Sequence, residues 1–254
     1  MDVNKNSYTF GFAAIMVIIV AALLSYAAIG LKPYQDINIE LEKKQNILSS
    51  IRINIDREDA EEAYEKYIKY ALVLNSKGEE IEGSAFNIEL SKELKKESAE
   101  QSLPLFISEI SGTNKYIIPL RGKGLWGPIW GFIALENDLN KVYGAVFDHK
   151  GETPGLGAEI NMPFFQDPFV GKTIFEGDEF TSIKVIKGGA KEDDMHAVDG
   201  ISGGTITSDG VSDMLYERLN MYLPYFKKQI PAIEVDSVFS ELESTVTLID
   251  SIIQ

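Results

Sequence analysis

Cysteine is absent from the 254 residues, and histidine occurs only as His149 and His196. Without thiols the chain forms no disulfide, iron–sulfur cluster or zinc–thiolate site, and it has no cysteine nucleophile. Two imidazoles are too few for a polyhistidine metal centre, so no metal site is expected. Any redox chemistry then falls to an organic cofactor. Basic residues are also scarce: 24 Lys plus Arg stand against 39 Asp plus Glu, a formal charge of −15. All the acids but Asp2 and all the bases but Lys5 lie beyond position 31, so the later part keeps the whole deficit. Such a surface repels a phosphate backbone, which argues against nucleic acid as a partner. With 44% hydrophobic and 25% charged residues the chain has a globular composition, and its length allows one generous domain with extensions.

Charge is missing altogether from Asn6 to Leu31, a run of 26 residues between Lys5 and Lys32. A helix over 8–31 would rise about 36 Å at ~1.5 Å per residue, enough to cross a ~30 Å hydrocarbon core with some tilt. Tyr8 and Tyr34 lie near its ends, where amphipathic rings prefer the interface. Ser25-Tyr-Ala27 offers a cleavage site for a signal peptide, but the apolar run exceeds the ~7–15 residues usual there. A retained single-pass anchor is therefore expected. Its orientation is weakly specified, because Lys5 on one side faces Lys32, Lys43 and Lys44 on the other.

Beyond the anchor, Ile47, Leu48, Ile51 and Ile55 recur at helical spacing, and Arg57 to Leu74 continues rich in Glu, Ala, Lys and Tyr. Residues 33–75 are thus expected to be helical, with a polar connector over 76–103 that carries a short helix near Glu89–Lys96. The texture then changes. Tyr116–Leu120, Gly131–Leu135 and Val142–Phe147 are apolar runs separated by Gly, Pro, Asn and Asp, and they predict strands, as does Thr181–Lys187. Asn137-Asp138 predicts a hairpin. After Ser208, the residues Val211, Leu215, Leu219, Tyr222 and Phe226 form one apolar helical face. The expected fold is α+β: a small antiparallel sheet with flanking helices behind one transmembrane helix. Its divisions are a tail over 1–7, the anchor over 8–31, a mostly helical membrane-proximal region over 32–115, a domain over 116–230 and an extension over 231–254.

Two loops carry chemical interest. Gly151-Glu-Thr-Pro-Gly-Leu-Gly157 packs three glycines and a proline into seven residues, a tight turn against whose bare backbone a flat ligand can lie. Leu156 offers an apolar face there, and Glu152 or Thr153 a polar anchor. Asp199-Gly-Ile-Ser-Gly-Gly-Thr205 runs straight into the last helix, where free N–H groups and the positive dipole end suit a phosphate. From the residues alone, structural turns, with Ser208 or Asp209 capping the helix, are the favoured account of both loops. The acidic run Glu192–Asp194 lacks the spacing of a calcium loop. No nucleophile elbow accompanies the serines, so hydrolysis is discounted.

In order, Gly124-Leu-Trp126, Gly131–Leu135, Gly151–Gly157 and Asp199–Thr205 resemble the marks of the C subunit of the sodium-translocating NADH:quinone oxidoreductase, Nqr. The resemblance covers the anchor and about 119–228. It implies FMN held by a phosphodiester to Thr205, with Asp199, Ser202 and Gly203 completing the motif read by a magnesium-dependent flavin transferase that uses FAD. By the same likeness Trp126, Glu152, Thr153, Leu156 and Gly157 wall the flavin. Gly204 stands where the family has alanine. The resemblance further implies an electron carrier of a translocating NADH:ubiquinone reductase, placed between an iron centre of the D and E membrane subunits and the flavin of the B subunit. It sets the bulk of the chain on the periplasmic side of the inner membrane. No acidic residue interrupts the anchor, so the sodium path is expected elsewhere. The G subunit of the related Rnf complex shares the Glu-Thr-Pro-Gly-Leu-Gly loop and the flavinylation motif and is the alternative. A cofactor-free anchored extracytoplasmic binding domain is a further one.

Overall fold

The computed structural model describes residues 6–253, and their side chains as far as residue 230. The chain divides into two compact units between Lys44 and Gln45. In the first, helix α1 (Asn6–Ser50) has an 18-residue window of mean hydropathy 2.6, none of it buried. It is the one helix among the described residues that is long and apolar enough to cross a membrane. Phe10, Ile15 and Leu23 all stand open on it, as an anchor's side chains must where lipid is their solvent. Pro33 lies inside this helix without ending it.

The second unit is built on one antiparallel sheet. Its strands are β1 (Ile68–Leu74), β2 (Glu80–Ile81), β3 (Leu103–Ile110), β4 (Thr113–Lys123), β5 (Pro128–Leu135) and β6 (Val142–His149), in the order β2-β1-β3-β4-β5-β6. Alternation along each strand sends side chains to two covered faces. Leu105, Ile118 and Ile133 point to the face covered by α5 (Thr205–Ile253), where Leu215, Leu219 and Phe226 meet them. Phe106, Ile117 and Phe132 point to the other face, covered by Ile47, Leu48 and Ile51 from the end of α1 and partly by α2 (Ala60–Tyr67). The centre of the sheet is therefore buried on both sides. Pairing of β3 with β4 ends at Phe106↔Ile117, so Pro119 sits where β4 keeps only β5 as partner. The buried Tyr222 hydroxyl of α5 donates to the Pro104 carbonyl at 2.7 Å, next to the point where that ladder stops.

The strands expected at 116–120, 131–135 and 142–147 are present, each extended by a few residues, and β5 and β6 form the hairpin expected at Asn137-Asp138. The expectation of a mostly helical 32–115 needs correction. Helix stops at Ser50, α2 ends at Tyr67, and β1 begins at the next residue without a loop. β1, β2 and β3 complete the same sheet as β4–β6, so no domain boundary falls at 115. The helix near Glu89–Lys96 shrinks to α3 (Leu90–Glu93). After β6 come the short helix α4 (Pro163–Gln166), the hairpin β7 (Phe175–Glu176) and β8 (Glu179–Phe180), and the parallel pair β9 (Lys184–Ile186) and β10 (Ala197–Asp199). The backbone of α5 continues to Ile253, and the side chains of the extension expected over 231–254 lie outside the described residues.

Candidate functional site

Three segments far apart in sequence converge at the first turn of α5. The β4–β5 hairpin closes through Gly124 N–H to the Gly127 carbonyl at 2.8 Å and carries Leu125 and Trp126 at its tip. The loop after β6 is folded on itself, with Leu156 and Ala158 both donating to the Thr153 carbonyl at 3.1 Å. The third segment leaves β10, turns through Gly204 N–H to the Ile201 carbonyl at 3.0 Å, and enters α5. Gly203 sits at φ +76 in this turn, a conformation costly for any side chain. A Cβ there would also lie 2.6 Å from Leu156 Cδ2.

Glu152 ties the three together. Its Oε2 accepts from the Thr207 hydroxyl at 2.6 Å, and its Oε1 accepts from the Trp126 N–H at 2.8 Å. Its own N–H donates to His149 Nδ1 at 3.2 Å. Glu152 is only 4% exposed, and Thr207 1%. Burial pushes the carboxyl's pKa up, yet the Thr207 hydroxyl and the N–H groups of Trp126, Gly127 and Leu125 outweigh it and hold the value below the ordinary range. Glu152 is therefore a buried, ionised clamp. Gly157 must be bare for the clamp to close, since a Cβ would fall 2.3 Å from Thr207 Oγ1 and 2.7 Å from Glu152 Oε2.

Beside the clamp lies a cavity of about 190 Å³. Leu125, Thr153 and Leu156 wall one side, and Gly203 to Thr207 the other. The N–H groups of this first helical turn have no carbonyl to serve within the helix, and the helix dipole is positive there. Thr205 lines the cavity, and its hydroxyl makes no hydrogen bond among the described residues. The volume is below the ~300–1,000 Å³ that encloses a drug-sized ligand, so it suits one end of a larger molecule. A phosphate fits that end: bare glycine backbone, an unpartnered hydroxyl and a helix N-terminus all converge on it. The half-exposed Leu156 and the open Leu125 extend an apolar surface outward from the mouth.

Of the residues expected at the site, Glu152, Thr153, Leu156, Gly157, Gly203 and Thr205 do line this cavity. Trp126, Asp199 and Ser202 do not. Trp126 contributes its backbone N–H to Glu152 while its ring is 70% exposed. Asp199 accepts from the Ala190 N–H at 2.7 Å and so pins the preceding loop. Ser202 is an exposed turn residue. Helix α5 starts at Thr205, a full turn earlier than capping by Ser208 or Asp209 would have it. Ser208 lies inside the helix, where its hydroxyl accepts the Ile201 N–H at 3.2 Å. His196 proves to be a packing residue, its Nδ1 2.8 Å from the Thr173 carbonyl. Nothing in residue order points to the Glu152–Thr207 bond; for Leu125, the Gly-Leu-Trp hairpin tip is the one signal.

A family model described as an FMN-binding domain matches residues 124–220. The C subunit of the Na(+)-translocating NADH-quinone reductase of Vibrio alginolyticus is 33% identical over 232 residues, which cover 83% of this chain and 90% of that one. Its counterpart in Haemophilus ducreyi is 32% identical over 246 residues, covering 89% and 95%. The crystal structure of the C subunit from Parabacteroides distasonis superposes with a TM-score of 0.73 at 45% identity, covering 77% of this chain and 96% of that one. The chain belongs to the family of C subunits of the Na(+)-translocating NADH-quinone reductase.

Proposed function

We propose that the chain carries FMN covalently on Thr205 and relays electrons within the sodium-translocating NADH:quinone reductase. The observation that carries this reading is Thr205, which lines the cavity at the start of α5 with its hydroxyl unpartnered among the described residues. Attachment needs a nucleophilic oxygen next to a phosphate seat, and no other hydroxyl lining the cavity has both. Thr207 is committed to Glu152, and Thr153 lies off the helix. In the attachment step the Thr205 oxygen bonds to the FMN phosphorus as the pyrophosphate bond of FAD breaks; AMP leaves, and the hydroxyl proton passes to solvent. A magnesium-dependent transferase is the agent.

When bound, the flavin supplies one-electron chemistry that no side chain here can perform. The chain's own residues have simpler tasks. The N–H groups of 205–207 would hold the phosphate and Leu156 and Leu125 would cover an apolar face, while the Glu152 clamp fixes the loops that carry them. The family assignment favours Nqr over Rnf as the complex, and the partners are its other members: the flavin-bearing B subunit and the iron-holding D and E subunits. α1 anchors the chain as a single pass in the inner membrane, and the acidic remainder faces the periplasm. A cofactor-free binding domain would have no use for a bare phosphate seat at Thr205.

Intact mass of protein matured with its transferase tests the reading. A phosphodiester to FMN adds about 438 Da, the cofactor less one water, and peptide mapping places it on Thr205. Unmodified mass, or the mass on another residue, overturns it.

A further inference from the structure

Further along α5, Arg218 is 8% exposed and lies within 4 Å of no carboxylate among the described residues. Its Nε is buried without any hydrogen-bond partner. Its one polar contact runs from Nη1 to Gln101 Oε1 at 3.5 Å, the outer limit of a hydrogen bond. Burial lowers the guanidinium pKa, with Glu217 and Tyr222 opposing. A methionine or leucine would fill this space without the cost of dehydrating a charge.

The same arginine lines a groove of about 640 Å³ together with Arg121, Lys123, Lys96 and Glu217. Lys96 is bound to Glu93 at 2.7 Å, whereas Arg121 and Lys123 have no such partner among the described residues. Three uncompensated cations thus face one carboxylate, in a chain whose net charge is −15. The groove shares no lining residue with the cavity at Thr205.

We propose that this groove is a second anion site, built for a dianionic phosphate group with Arg218 at its base and Arg121 and Lys123 at its rim. The surplus of two positive charges matches a phosphate monoester near neutral pH better than a single carboxylate. The planar fork of Arg218 can take two of its oxygens at once. The phosphate belongs to a free phosphate compound or to a lipid headgroup; the chemistry is the same.

The test uses the full chain in detergent micelles with its flavin state held fixed. Inorganic phosphate is titrated against chloride at constant ionic strength, and the melting temperature is followed. Dipalmitoyl phosphatidic acid replaces it in a second arm, with phosphatidylcholine as control. A saturable rise in melting temperature is expected. Arg218→Met abolishes the rise while melting no lower than the parent in chloride. Lys123→Gln and Arg121→Gln, on exposed and half-buried rims, each weaken binding about threefold or more. A response to both probes identifies the phosphate itself as the ligand, and a response to phosphatidic acid alone identifies the headgroup. No response to either probe overturns the site, as does a response undiminished in Arg218→Met. Should that variant fail to fold, undiminished binding in the two rim variants overturns it equally.

Discussion

The outer and inner sides of the first turn of α5 carry the same residue type with opposite fates. Thr205 faces a cavity, and no protein group claims its hydroxyl; Thr207, two residues on, is 1% exposed and bonded to a buried carboxylate. A threonine hydroxyl is intrinsically the same group at both places. What differs is whether the fold has already used it, and the helix's turn decides that by sending one side chain outward and the other into the clamp. An unpartnered and a bonded hydroxyl are here allotted by rotation about a helix axis.

The largest test of this contrast exchanges the two positions. Thr205→Ala loses the added mass of about 438 Da completely, whereas Thr207→Val keeps it, as read by intact mass after coexpression with the transferase. Mass retained in Thr205→Ala would show that the turn does not choose. Next in size is stability. Thr207→Val conserves shape but removes the donor to a buried carboxylate, which costs about 1–3 kcal/mol. At about 2–4 °C per kcal/mol for a domain of this size, calorimetry should record a drop of several degrees, while Thr205→Ala should barely move the melting point.

Glu152 adds a pH dependence with a definite sign. Its pKa is held below the ordinary carboxylate value in the folded chain, so the unfolded state binds more protons between the two values. Its contribution is complete above the unfolded value of about 4.3 and is lost as pH falls through the folded one. Glu152→Gln should remove that part of the acid limb, so the gap between parent and variant melting temperatures is full above about pH 5 and narrows as pH falls below the unfolded value. Parallel curves across that range would mean that the clamp is not ionised.

The contrast also marks what could be read from residue order. Strands β4 to β6 were legible because turn residues punctuate them, and Thr205 because its loop matches a family motif. β1 was hidden by a missing boundary: Tyr67 ends a helix and Ile68 starts a strand, with no glycine or proline between. β3 has six buried residues in succession, so it shows no alternation to read. The bond from Glu152 to Thr207 spans 55 residues, and only the folded chain brings its ends together. Local pattern marked the loop of Thr205, and topology supplied the clamp beside it.

The smallest effect is expected at Gly204, where the resemblance implies alanine. Its backbone needs no positive φ, unlike that of its neighbour Gly203. A Cβ would lie 3.1 Å from Ile201 Cβ and Cγ2 and 3.3 Å from the Gly157 nitrogen, close but short of a clash. Ile201 belongs to a half-exposed turn and can give a few tenths of an ångström; Gly157 is fixed by the clamp but is also the farther neighbour. Restricting the unfolded chain favours alanine by about 0.4–1 kcal/mol, and crowding at Ile201 removes part of that gain. Gly204→Ala should therefore raise the melting temperature by about 1–2 °C and leave flavin occupancy unchanged. A loss of more than about 1 kcal/mol would show that the turn before Thr205 is too tightly set by the Glu152 clamp to admit a methyl group.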